Sequence, residues 1–274
     1  MRKLKENILK LLVYLSAAFT VTTLVVIVGY IFVQGIGGIN PTFLFSDYSS
    51  SGDGGILPMI VTTLYTVALS IAVATPIGVL AAIYLQEYAK KGKMVTAIRF
   101  ATESLAGIPS IIYGLFGGIF FVVTLGMRYS ILSGSLTVAI IILPVIIRTT
   151  EEALKTVPQS YREASLALGS TKFQTLYKVV LPSAIPGILS GLILSVGRVI
   201  GESAAILLTA GTVAQMPGGI FDSARTLTVH AYLLTKEKGD ISGAASIGIV
   251  LIIMVLLLNT IAKVIAKKLN KANY

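Results

Sequence analysis

Apolar residues along this chain gather into six long runs separated by short charged connections. The runs are Leu11 to Val33, Leu57 to Leu85, Ser104 to Met127, Tyr129 to Ile147, Ser183 to Thr209 and Ile241 to Ala262. A helix needs about 20 apolar residues to cross a hydrocarbon core roughly 30 Å thick. Each run predicts one such helix, and the two-residue alternation of a membrane barrel is absent. In lipid only helices and closed barrels satisfy their own backbone, so the pattern predicts an all-α polytopic membrane protein. The first run is longer than a typical signal-peptide core, and no small-residue cleavage site follows it, so it reads as a retained helix. The connection from Gly35 to Gly55 is rich in Gly and Ser and has no Lys or Arg. It reads as a loop with a short interfacial piece over Pro41 to Phe45.

Composition agrees with this picture. Of 274 residues, 55% are hydrophobic and 12% charged, and mean hydropathy is +0.87. So little polar surface does not cover a water-soluble particle of this size. The absence of cysteine excludes disulfides, Cys-ligated metal centres and thiol nucleophiles, and the lone His230 argues against His-rich metal sites. The net charge of +10 divides by side. The regions before the first span, after the second, after the fourth and after the sixth carry 17 Lys and Arg, including Arg2, Lys3, Lys5, Lys91, Lys267, Lys268 and Lys271. The other side carries 4, namely Arg128, Arg225, Lys236 and Lys238. The positive-inside rule therefore places both termini in the cytoplasm, and the charge describes topology without invoking nucleic acid.

Two places depart from a plain bundle. The connection from Arg148 to Val180 is longer than a hairpin needs. Pro158 suits a helix start, and Ser160 with Glu163 has capping-box spacing. Leu154, Val157, Tyr161, Ala164 and Leu168 recur at helical intervals until Gly169 breaks the pattern. Ser170 or Thr171 can cap a second helix with Phe173, Leu176, Tyr177 and Val180 on one stripe, ended by Pro182. Two readings stand: a helix pair resting on lipid headgroups, and a docking site for a partner.

In the fifth run, Arg198 and Glu202 sit four residues apart. Ionisable groups at such depth cost about 2.5–3.5 kcal/mol each on insertion scales, so they face protein or a water-filled path. Helical spacing puts them on one arc with Gly187, Gly191 and Ser195, whose small size lets another helix approach. A structural ion pair and a charge on a translocation pathway both fit. If the arginine meets a ligand, its rigid fork of donors suits an oxyanion. Gly107 to Gly114 reads as a packing motif or hinge, and Pro76 and Pro144 as kinks. His230, Asp222, Arg225, Glu237 and Asp240 read as a solvated loop. No phosphate-binding loop, G-x-S-x-G elbow or H-E-x-x-H motif occurs, so the sequence shows neither catalytic machinery nor its own means of using ATP.

The segment Arg162-Glu-Ala-Ser-Leu-Ala-Leu-Gly169, followed by Leu181-Pro182, resembles the EAA loop of ABC importer permeases, with Ser165 in place of the second alanine. Gly197-Arg-Val-Ile-Gly-Glu-Ser203, Gly107-Ile-Pro-Ser110 and Tyr113-Gly114 are similar to the phosphate-specific permeases. Phe221 to Arg225 and His230 to Tyr232 are nearer the PstA than the PstC type. The resemblance implies a five-helix type I importer core over 54–262. Residues 1–53 precede it with a tail, a first helix and an exterior loop, and 263–274 follow as a basic tail. It further implies ATPase coupling through Tyr161, Glu163, Ala164, Gly169 and Phe173, and Arg198 and Glu202 on the phosphate pathway or gate. Its implied partners are a PstC-type permease, two cytoplasmic ATPase subunits and an extracytoplasmic phosphate-binding protein. Other oxyanions such as sulfate or molybdate, and outside transport a self-contained channel or a membrane scaffold, are the alternatives. The expected location is the cell membrane, with no cofactor, metal or catalytic residue.

Overall fold

The computed structural model describes residues 2–49, 54–90 and 92–271. Asp53 and Lys91 lie outside the described residues, as do the side chains of Arg2, Lys3, Lys5, Lys267, Lys268 and Lys271. Every regular element among the described residues is helical. Helix α1 spans Arg2–Gly35, and the short α2, Pro41–Phe45, is capped by Asn40, whose side chain accepts the Phe43 N–H at 2.7 Å. Helix α3, Leu57–Ile83, continues through a π-helical turn to Tyr88. After α4, Lys93–Ala106, and α5, Ser110–Gly117, comes the long α6, Ile131–Thr156. Then follow α7, Gln159–Ala167, α8, Lys172–Thr175, α9, Leu181–Gly201, α10, Ala204–Leu207, α11, Leu227–Leu233, and α12, Ile241–Lys271.

Helix α6 is the central post. Ile142, Ile146 and Val138 are fully buried between Ala74 of α3 and Val199 and Ile200 of α9. Glycines set the approach of α9 to α6. A side chain at Gly191 would collide with Thr149, and one at Gly187 with Ala153. The small-residue face anticipated on the fifth span thus has a partner inside this chain. Pro76 and Pro144 lie within helices that remain single spans. Helix α1 is held chiefly at its end, where Ser246 Oγ donates to the Gly35 carbonyl at 2.7 Å. Its apolar length, Ile8 to Tyr30, stays exposed in this chain.

Among the described residues five helices are long and apolar enough to cross a membrane, and one bent helix pair makes a sixth crossing if it is a single span. The expected single helix from Ser104 to Met127 is instead α4 and α5, bent by 100° at Gly107–Pro109. Proline has no N–H and disfavours helical backbone in the residue before it, here Ile108, so the helix breaks at this motif. The second piece runs on through a π-helical stretch to Thr124. At 1.5 Å per residue it is about 22 Å long, short of the hydrocarbon core.

His230 and Arg225 are not solvated. Their relative exposures are 3% and 8%, because α11 packs beneath the loop that carries Tyr48. Burial first, then repulsion from Arg225 and Lys238, lowers the imidazole pKa from 6.5 to about 3. The native state therefore keeps a neutral ring where the unfolded chain takes up a proton below pH 6.5. Stability is unaffected above that pH and falls by about 1.4 kcal/mol per unit as pH drops from 6.5 toward 3. Thermal unfolding midpoints in lipid nanodiscs between pH 7.5 and 4.5 check this. His230→Gln is expected to flatten the acid side of the profile.

Candidate functional site

The segment after α6 forms a helix–glycine–helix element, as its sequence suggests, but with different caps. Helix α7 begins after Pro158 with no side-chain cap, so Ser160 and Glu163 do not form a capping box. The capping box belongs to α8: Thr171 accepts the Gln174 N–H and Gln174 accepts the Thr171 N–H. Gly169 turns the chain between them in the left-handed region, at φ +84°. Pro182 does not end the segment. Lys172–Gly201 is one helical rod, with a π-helical stretch over Leu176–Val180 just before Pro182, where the ladder of backbone hydrogen bonds is already shifted and the missing proline N–H is accommodated.

The inner side of this element is tied to α3. Arg162 Nη1 donates to Glu87 Oε1 at 2.5 Å, and Arg162 Nη2 donates to the Leu154 carbonyl at 2.8 Å. Lys172 donates to the Glu87 carbonyl and lies over the Tyr88 ring, 4.9 Å from its centre. Leu154, Val157, Leu176 and Val180 are buried together beneath. Each predicted stripe is therefore split, one half inward and the other outward. Tyr161, Glu163, Ala164 and Leu168 stay exposed, and Leu168 is 88% accessible. Glu163 makes no hydrogen bond or ion pair among the described residues. Phe173 stacks with Tyr177 at 6.4 Å, and the two line an apolar groove with Leu80, Tyr84 and Tyr88. Phe173 thus faces sideways from the tip formed by Tyr161, Ala164 and Leu168. Sequence reasoning missed the tie through Glu87, which lies 75 residues from Arg162.

The second place is the end of α9. The expected helix through Thr209 stops at Gly201, and Glu202 is extended, at φ −75° and ψ 130°. Arg198 and Glu202 therefore do not share a helical face, and no ion pair joins them. Glu202 is buried instead. Its Oε1 accepts the Ala205 N–H at 3.2 Å and its carbonyl accepts Thr228 Oγ1 at 2.7 Å. Arg198 is exposed and makes no hydrogen bond or ion pair among the described residues; its charge acts on the Tyr113 phenol of α5. Beside it, Gly197 and Gly201 face open space.

Packing register gives the depth of this break. Gly187 meets Ala153 and Gly191 meets Thr149, so each step up α9 is one step back along α6. Arg198 therefore comes level with Ile142, near the middle of the 26-residue α6. The helix ends level with Ala139 of α6, and α10 with the chain after it continues against α5 and the start of α6. Gly114 of α5 lies against Ala205, and the Leu132 N–H donates to the Ile220 carbonyl at 2.8 Å. Interrupted helices at this depth are tolerated only where they are buried in protein or line a cavity, and ion sites in transporters use such breaks.

The chain is thus a bundle of membrane-length helices with a sharply bent helix pair, an exposed helical tip and an arginine, level with the middle of α6, that is unpaired among the described residues. Residues 74–272 match the model of the binding-protein-dependent transport system inner membrane component family, and the chain belongs to that family. It is 35% identical over 280 residues to a probable ABC transporter permease protein, YqgI, of Bacillus subtilis (strain 168), covering 96% of this chain and 95% of that one. It is 32% identical over 263 residues to the phosphate transport system permease protein PstA of Mycobacterium leprae (strain TN), covering 93% and 86%. Its fold matches a chain of the crystal structure of a bacterial alginate ABC transporter in complex with an alginate pentasaccharide-bound periplasmic protein. The TM-score is 0.68 at 16% identity, covering 94% of this chain and 96% of that chain.

Proposed function

We propose that this chain is a PstA-type permease subunit that passes inorganic phosphate inward through the cell membrane, driven by ATP hydrolysed on other subunits. The observation that carries this reading is Arg198, a permanent cation without a counter-ion among the described residues, level with the middle of α6 and flanked by glycines that leave space. A guanidinium at that depth is stable only against protein or water, and its donors match the oxygens of phosphate. Similarity to the Mycobacterium leprae phosphate permease supports the choice of cargo. Both termini and the α7 tip lie in the cytoplasm, where the basic connections gather. Tyr161, Glu163, Ala164, Gly169 and Leu168 meet an ATPase subunit, with Phe173 bracing the element from the side. A PstC-type permease covers the open face around Gly197 and Gly201, two ATPase subunits drive the pair, and an extracytoplasmic binding protein delivers phosphate.

Arg162 and Lys172 then carry the movement of the tip into α3 through Glu87, and the rod Lys172–Gly201 carries it to the break at Arg198. The cargo is tested by uptake of labelled phosphate into vesicles holding the assembled importer. A tenfold excess of sulfate or molybdate is expected to leave uptake nearly unchanged, whereas unlabelled phosphate abolishes it. Equal suppression by sulfate would assign another oxyanion.

A further inference from the structure

On the face opposite α7, three charged or polar groups converge on one aromatic ring. The Arg225 guanidinium lies 4.7 Å from the centre of the Tyr48 ring, the Lys238 ammonium 6.0 Å from it, and the His230 ring packs edge-on at 5.5 Å. No carboxylate pairs with either cation among the described residues. Arg225 Nε and His230 Nδ1 are buried without a hydrogen-bond partner. Two orphaned polar atoms beside two cations that have only the Tyr48 side chain for company are a costly arrangement, because the buried Arg225 Nε and His230 Nδ1 have lost water without gaining a hydrogen-bond partner. The arrangement becomes favourable once something brings negative charge and acceptor oxygens. Arg225 Nε–H and the Lys238 ammonium supply donors, and neutral imidazole supplies one more when its proton sits on Nδ1.

We propose that Arg225, His230, Tyr48 and Lys238 form an outer oxyanion site at which the transported ion is first held, a reading that rests on the proposed direction and cargo of transport. The buried positions of Arg225 and His230 favour a small ion over a protein surface, and the exposed Lys238 marks its point of entry. The Tyr48 ring closes the site from the loop side. A direct structural link runs inward: Thr228, between Arg225 and His230, donates its hydroxyl to the Glu202 carbonyl at the α9 break. The outer site and Arg198 are thus successive stations along one connected stretch of chain.

His230 is the single histidine of the chain and so gives one imidazole signal. The full-length chain, labelled with 15N only at histidine and assembled with unlabelled partner subunits in nanodiscs, is titrated with inorganic phosphate, sulfate or acetate at pH 7.5. Phosphate is expected to shift the imidazole resonance saturably, with acetate, the stand-in for a protein carboxylate, much weaker. Arg225→Gln is expected to raise the apparent Kd by at least about tenfold. Lys238→Gln, at an exposed position that folding does not depend on, is expected to raise it severalfold. A saturable shift with sulfate alone retains the oxyanion site and overturns the phosphate cargo. Absence of a saturable shift with either oxyanion overturns the site while leaving the cargo to the uptake assay. A response to acetate alone, or a phosphate response that Lys238→Gln leaves intact, also overturns the site.

Discussion

Replacing Arg198 with alanine is expected to cut phosphate uptake about 10- to 100-fold, the loss that follows from removing one or two hydrogen bonds to a charged ligand. Assembly should survive. The guanidinium has no hydrogen-bond or ion-pair partner among the described residues, so its removal orphans nothing there, and surface changes of this sort usually stay within about 0.5 kcal/mol. Arg198→Lys keeps the charge but loses the planar fork, and is expected to restore uptake only in part. Uptake is read in vesicles, with assembly checked by size-exclusion chromatography on the same preparations. Wild-type uptake by the alanine variant would remove Arg198 from the pathway. Glu202 requires a different substitution, because its carboxylate caps the turn of α10. Glu202→Gln keeps an oxygen for the Ala205 N–H while deleting the charge. Lower uptake at normal stability would show that the charge itself tunes passage of the ion.

Replacing Gly169 with valine is expected to cut co-purification of the ATPase subunits sharply. The residue sits at φ +84° between α7 and α8, a conformation that β-branched residues avoid at a cost of about 1–3 kcal/mol. The turn must relax, and the angle at which α7 presents its tip changes with it. A second variant separates docking from folding. Leu168 is almost wholly exposed, so Leu168→Asp leaves the permease intact while placing a charge in the apolar contact. Both variants are expected to reduce ATPase capture from detergent extracts at least about tenfold, which corresponds to losing one strongly contributing interface residue. Full capture by both would show that the tip is not the docking surface and would favour an interfacial helix pair resting on lipid.

Much of the architecture was legible because its cause is local. The apolar runs of α1, α6 and α12 predicted helices by length alone, and Gly169 marked a turn because few other residues adopt that backbone. The breaks were harder to see. An apolar run states that a segment avoids water, whether or not it is one helix, so Ser104 to Met127 concealed a 100° bend whose only marks were Gly107 and Pro109. No proline marks the end of α9; its backbone turns at Glu202, whose carboxylate accepts the Ala205 N–H and whose carbonyl accepts the Thr228 hydroxyl. The charged residues of the last connection suggested solvent, yet Arg225 and His230 are buried by Tyr48 and α11, which a reading along the chain cannot bring together.

By itself the sequence determined what is set by composition and short spacing: a membrane-embedded helical chain, its crossing segments, the charge difference between its sides, and a glycine-hinged connection that resembles the coupling loop of importers. The tertiary structure decided which face of each segment is used. Packing of α9 on α6 through Gly187 and Gly191 fixed Arg198 at the depth of Ile142. The reach of Arg162 to Glu87 fixed which side of α7 is free. The physical reason is range. Helix formation and membrane insertion depend on neighbours within a few residues, whereas the depth, pairing and exposure of a side chain depend on segments tens to hundreds of residues away.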